Sequence, residues 1–112
     1  MATLNVAIIG AGLAGSHLAH GLAKHNIEVL LFDPRAPWDK ACANGITGKV
    51  IREFPFLYDF NGFHEVKDFQ FISPRGNHCQ IQCPQDFFTF SRKDFNEFLL
   101  DIGSQKNYYL AN

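Results

Sequence analysis

Gly10-Ala11-Gly12-Leu13-Ala14-Gly15 decides how the rest of the chain is read. Before it, Leu4 to Ile9 is a short, nearly continuous apolar run with β-branched residues, as expected of a parallel-sheet strand covered on both faces. After it the period becomes helical. Ala14, Leu18 and Leu22, with Gly15, Ala19 and Ala23 alongside, share one face, and His17, His20 and Lys24 share the other. Asn26 stands where this helix should stop, because asparagine tolerates the left-handed conformation used just past a helix end. A second apolar run, Ile27 to Phe32, closes on Asp33. Strand, glycine turn, helix, strand and terminal acid follow one another in the order of a right-handed βαβ unit.

Each glycine has its own task in that unit. Gly10 makes the tight turn, Gly12 lets backbone approach a pyrophosphate with no Cβ in the way, and Gly15 lets the helix lie close to the sheet. The helix start offers unpaired N–H groups and partial positive charge to phosphates. Asp33, 23 residues after Gly10, is placed to accept hydrogen bonds from an adenosine ribose. The unit is therefore read as dinucleotide-binding. Glycines serving only a strand-to-helix turn are the plainer alternative. By itself the unit does not separate NAD(P) from FAD, since both set a pyrophosphate on the same helix end.

The composition narrows the class. The chain has 112 residues, 46% hydrophobic and 19% charged, with formal net charge −1, which fits one small globular domain. Ten basic against eleven acidic side chains leave no excess to attract a phosphate backbone, so nucleic acid is not an expected partner. No positive charge precedes the first apolar run, and glycines and His17 break that run well short of the ~18 apolar residues of a membrane span. Cys42, Cys79 and Cys83 match no zinc or disulfide spacing, so no metal is expected and a reducing cytoplasm fits. Twelve phenylalanines, most of them between Phe54 and Phe98, are a heavy apolar load for so small a domain. They point to missing chain, or to self-association through exposed aromatics.

Beyond Asp33, a loop of about a dozen residues replaces the short crossover of a plain nicotinamide domain. It contains Lys40-Ala41-Cys42-Ala43-Asn44-Gly45-Ile46-Thr47. Thr47 to Glu53 can form a short helix that Pro55 breaks, ahead of an aromatic cluster of Phe54, Phe56, Leu57, Tyr58, Phe60 and Phe63. That cluster reads as core or interface packing, with an apolar substrate wall second. Val66 to Ile72 and Cys79 to Cys83 alternate about Ser73-Pro74-Arg75-Gly76-Asn77, the pattern of a hairpin. Cys79, Ile81 and Cys83 share one strand face and read as buried residues. His17 and His20 read as solvated. Ser91 and Asp94 form a capping-box-like start for a last helix, Arg92 to about Gly103, with Phe95, Phe98, Leu99 and Ile102 as its buried stripe.

With these segments in view, the chain resembles the FAD-dependent oxidoreductases of the geranylgeranyl reductase type, within the broader group that includes the aromatic-ring hydroxylases. Lys40, Cys42, Gly45 and Thr47 match that family's Lys-x-Cys-Gly-x-Gly followed by Leu-Thr, with Ala43 where the family has glycine. Ser91-Arg92-Lys93-Asp94-Phe95-Asn96-Glu97-Phe98-Leu99 is similar to its Arg-x-x-Phe-Asp-x-x-Leu, with Asn96 in place of the aspartate. The resemblance implies an α/β, Rossmann-like βαβ FAD/NAD(P)-binding fold with a β-hairpin excursion. It also implies that residues 1–112 are the N-terminal, incomplete part of one domain: βαβ 4–33, flavin-side loop and short helix 34–53, hairpin region 64–90, helix 91–103.

By the same resemblance, Gly10, Gly12, Leu13, Ala14 and Gly15 would surround the pyrophosphate and Asp33 would hold the ribose. Arg35 would lie beside the adenosine, Asn44 and Gly45 would run near the flavin, and Arg92 would reach toward phosphates or ribose. Cys42 would be the candidate catalytic residue, against the simpler role of a small residue beside the cofactor. The implied function is flavin-dependent reduction or oxygenation of an apolar or aromatic small molecule, in a full-length enzyme that could be membrane-peripheral. The alternatives are a non-catalytic NAD/FAD-binding module or an inactive truncated product.

Overall fold

The computed structural model describes residues 5–104 and 108–111. In chain order its elements are β1 (Asn5–Ile9), α1 (Leu13–Ala23), β2 (Glu28–Phe32), β3 (Gly45–Thr47) and α2 (Gly48–Glu53). A 3₁₀ turn (Pro55–Asp59) then leads to β4 (His64–Glu65), β5 (Asp68–Ile72), β6 (His78–Gln82), β7 (Phe87–Thr89), α3 (Arg92–Ser104) and β8 (Tyr108–Ala111). The chain divides into two compact units, Met1–Ala41 with Arg92–Asn112, and Cys42–Ser91.

The first unit is a parallel sheet of order β1-β2-β8 with two helices. β1 and β2 run in register from Asn5↔Glu28 to Ile9↔Phe32, and β2 pairs β8 from Val29↔Tyr108 to Phe32↔Ala111. Val29 and Leu31, on one face of β2, pack with Ala19 of α1, Leu100 of α3 and Ala11 into the core. As expected, Asn26 stops the first helix region with φ 59°, and the β-branched and glycine signals place β1, α1 and β2 correctly; Leu4 lies outside the described residues. The expectation of two covered sheet faces does not hold. Burial alternates along β1 and β2, and Ile9 is 83% exposed and Leu30 39%. The reason is that α1 and α3 pack on each other and share the core with one face of β2.

The second unit holds two small antiparallel sheets, β3-β7-β4 and β5-β6. Its interior is aromatic. Phe63 meets Phe60 edge-on at 4.9 Å, Phe90 edge-on at 5.8 Å and Phe88 at 6.0 Å between ring centroids. Pro55 ends α2 as expected, by starting the 3₁₀ turn. The expected hairpin is β5-β6, paired from Asp68↔Gln82 to Ile72↔His78. Its turn closes with Gly76 at φ 86° and bonds from Gly76 N–H to the Ser73 carbonyl (2.9 Å) and from Asn77 N–H to Ser73 Oγ (3.1 Å). Its strands, however, are exposed on both faces. Cys79 is exposed, Ile81 is 49% exposed and Cys83 is half-buried, so the expected burial of these three is corrected. Alternation identified the strand but not a covering layer, and among the described residues β5 and β6 have no buried face.

Candidate dinucleotide-binding site

β1 ends and the chain turns sharply because Gly10 adopts φ +105°, a conformation that side chains resist. Gly10 N–H then donates to the Phe32 carbonyl at 2.8 Å, which ties the turn to the end of β2. Gly12 is the N-cap of α1 in extended conformation. No side chain caps it, and the first helical turn carries no acid. A Cβ at Gly12 would stand in open space, with nothing within 4 Å. Leu13, Ala14 and Gly15 follow as the first turn, so their N–H groups face outward along the helix axis without intrahelical acceptors. Gly15 serves a different end. A Cβ there would overlap the Gly10 carbonyl oxygen and lie 3.4 Å from Ile8 Cγ2, so only glycine lets α1 start this close to β1.

Between those glycines Ala11 is fully buried and held from both sides. Its N–H donates to Asp33 Oδ2 at 2.9 Å. Its carbonyl accepts from Ser16 Oγ at 2.9 Å and from Asn96 Nδ2 at 2.8 Å, and Asn96 Nδ2 also lies 3.4 Å from Ser16 Oγ. Asp33 is buried at the end of β2, and its second oxygen accepts the Arg35 N–H at 2.8 Å. The Ala11 and Arg35 N–H bonds hold its carboxyl below the ordinary aspartate range; burial opposes them, and the Arg35 charge adds a smaller push in the same direction. A carboxylate has about four lone-pair sites, so these backbone bonds leave Asp33 acceptor capacity to spare.

Arg35 is exposed, with its guanidinium 4.4 Å above the centre of the Trp38 ring. Asp39 reaches the start of α3, where its Oδ1 accepts the Lys93 N–H at 3.2 Å. Arg92 is half-buried at the first position of α3 and has no ion pair among the described residues. It lies four residues before Asn96, so the two share a helix face, and that face is the one that meets the glycine turn through Asn96.

Cys42, Asn44 and Gly45 belong to the second unit. Cys42 is an exposed free thiol. Asn44 takes φ 51°, and its side-chain oxygen is buried with no hydrogen-bond partner among the described residues. A Cβ at Gly45 would meet the tip of the Phe87 ring across β3-β7, which would have to shift to admit it. This unit also holds a cavity of about 230 Å³ lined chiefly by Ile51, Leu57, Tyr58, Phe60, Phe63 and Phe88, with Arg52 and Asp86 facing each other at 3.6 Å on its wall. Among the described residues, no group of three or more His, Cys, Asp or Glu could hold a metal.

Two sequence readings of α1 are corrected. Leu18, placed on the apolar face, is 51% exposed, and His20, placed in solvent, is only 8% exposed. The buried face is Ser16, Ala19, His20 and Ala23, because the close approach at Gly15 rolls small residues inward and α3 covers the face beside them. Ser16 and Asn96 went unnoticed as site residues. The sequence signs were at Asn96, which takes the aspartate's place in the resembled motif and is a polar amide inside the apolar stripe of α3.

The fold and its glycine turn define a Rossmann-like α/β unit of the dinucleotide-binding class. The family described as NAD(P)-binding Rossmann-like domain matches residues 8–70, more than half of the chain, and the chain belongs to that family. An uncharacterized protein of Methanosarcina barkeri is 35% identical over 108 aligned residues, which take in 89% of this chain and 26% of that protein. A geranylgeranyl bacteriochlorophyll reductase-like structure from Thermoplasma acidophilum superposes with TM-score 0.73 at 19% identity, over 97% of this chain and 30% of that one. The p-nitrophenol 4-monooxygenase of Pseudomonas putida gives 0.74 at 14%, over 98% and 31%. A flavin-dependent brominase gives 0.69 at 22%, over 98% and 29%. At these identities the solved structures establish the fold. The chain spans about a quarter of the curated relative's length. No described helix is long and apolar enough to cross a membrane.

Proposed function

We propose that this chain is the FAD-binding part of a flavin-dependent oxidoreductase and holds the adenosine and pyrophosphate half of the cofactor. The observation that carries this reading is the uncapped start of α1 behind Gly12, where a Cβ would occupy free space just outside a row of unpaired N–H groups. The residues fit the group. The first-turn N–H groups of Leu13, Ala14 and Gly15 bind the pyrophosphate, and Arg92, on the α3 face that meets this turn, adds positive charge. Asp33 accepts from the ribose. The Arg35 and Trp38 pair offers a flat cationic surface to the adenine. Cys42, Asn44 and Gly45 take the flavin side, where the free Asn44 oxygen is an acceptor in need of a donor. When bound, the flavin supplies hydride or oxygen chemistry, and the protein's part is to bind, orient and exclude water.

FAD is preferred to NAD(P) because the solved relatives include flavin-dependent enzymes and because a long excursion, β3 to β7, stands where a nicotinamide domain has a short crossover. The substrate of the whole enzyme is an apolar or aromatic small molecule, in keeping with the phenylalanine-lined cavity. Three free cysteines suit a reducing cytoplasm. Titration of the purified protein with FAD, followed by flavin fluorescence and by visible flavin absorbance retained after gel filtration, tests the reading. Stoichiometric FAD is expected. Uptake of NAD(H) with no FAD would replace it by the non-catalytic module, and binding of neither would leave an inactive product.

A further inference from the structure

We infer that Asn96 is a positioning residue for the phosphate-binding turn, acting through the Ala11 peptide groups as a hydrogen-bond donor. The inference rests on the reading of the turn as a dinucleotide cradle and extends it to a residue on another helix.

Ala11 is the middle residue of the Gly10–Gly12 turn, and glycines on either side leave that backbone little stiffness of its own. Stiffness comes instead from three side chains on three elements. Asp33, following β2, takes the Ala11 N–H. Ser16, on α1, and Asn96, on α3, both donate to its carbonyl. All three are buried, Asn96 to 2% exposure and Ser16 to 1%, so each lost bond strands a polar group away from water. With both polar groups of Ala11 engaged, its two flanking peptides cannot flip, and the N–H groups beyond Gly12 keep their outward aim.

Chemistry dictates a donor. The group at position 96 must donate to a carbonyl, and an ionised carboxylate has no donor. It would also face a carbonyl oxygen while Asp33 already holds negative charge at the other end of the same residue. A protonated acid could donate again.

The test is Asn96→Asp, nearly isosteric, with Ser16→Ala as the milder second variant. FAD affinity of Asn96→Asp should fall on the order of tenfold or more near pH 8, as expected for one stranded buried acceptor facing a like-signed group. The loss should shrink as pH falls toward 5, because the acid then regains its proton. Asp33 beyond Ala11, His20 on the buried face of α1, and Arg92 on α3 bear on this group, so each value is taken as the ratio to the parent protein at the same pH, in which their own titrations cancel. Ser16→Ala should weaken binding severalfold with no pH trend. In the cofactor-free protein, amide hydrogen exchange at residues 10–13 should rise in both variants while β2 keeps its protection. A loss independent of pH, or unchanged exchange at 10–13, overturns the inference. If the parent protein fails to bind FAD, the proposed function falls, and the exchange measurement still decides whether Asn96 holds the turn.

Discussion

Replacing a glycine by alanine at two positions of the same helix should move stability in opposite directions. In a helix interior alanine is favoured over glycine by up to about 1 kcal/mol, through the unfolded chain's lost freedom. At Gly21 nothing lies within 4 Å of the added Cβ, so Gly21→Ala should realise most of that gain. At Gly15 the same methyl overlaps the Gly10 carbonyl oxygen, sits 3.0 Å from that carbonyl carbon and touches Ile8 Cγ2 at 3.4 Å. The obstacle is backbone, and Gly10 is itself tied to Phe32, so relief requires α1 to back away from β1 and loosen Ala19 against Val29 and Leu31. Overpacking of that kind costs about 1–3 kcal/mol, which outweighs the propensity gain. We expect Gly15→Ala to be less stable than the parent by about 1–2 kcal/mol, a fall of roughly 5–15 °C in Tm for a unit of this size, and Gly21→Ala to rise by several degrees. Urea unfolding followed by far-ultraviolet circular dichroism reads both variants. A Gly15→Ala protein at least as stable as the parent would refute the close approach of helix and strand.

Gly12→Val should leave the fold intact, since its φ of −70° suits any residue, yet abolish FAD binding in titration by filling the space of the phosphates. Asp33 makes stability depend on acid. Because its folded pKa is lowered, its contribution is complete above the unfolded value near 3.8 and is lost as pH falls through the folded one. The stability gap between the parent and Asp33→Asn should therefore be constant from neutral pH down to about 5 and close below about 4 in acid titrations of urea midpoints; a gap that widens with acid would contradict it. Cys42→Ser, at an exposed site, should change FAD affinity less than about twofold even if turnover falls, given the small effect of most surface substitutions. A large loss in the same titration would mean the thiol contacts the cofactor.

The opening βαβ unit was legible because three independent signals coincide in one short stretch: the change of period after Ile9, glycines at the spacing of a tight turn, and an acid ending the second run. Hairpin and last helix were legible for similar local reasons, through the Ser73–Asn77 turn and the Phe95–Leu99 stripe. What escaped is long-range. Which side of α1 is covered depends on where α3 comes to lie, and that put His20 inside and Leu18 outside. Asn96 touches Ala11 across most of the chain, so no local period could mark it as a site residue. Alternation on β5 and β6 carries no information on whether another layer exists to cover them. Asp33 was legible as the acid that closes the second apolar run but not as the acceptor for Ala11, because the turn's curl back toward β2 is a matter of coordinates.

The ladder joining Leu31 to Leu110 has a consequence for how the protein is made. β1 and β2 leave the ribosome early and are close in sequence, whereas α3 and β8 follow only after the whole second unit has been synthesised, a delay on the order of seconds at usual translation rates. Until then Asn96 does not exist to grip the Ala11 carbonyl, and the nascent glycine turn has Asp33 and Ser16 alone. The turn therefore acquires its full set of side-chain bonds only once α3 has followed it out, after every residue of the second unit.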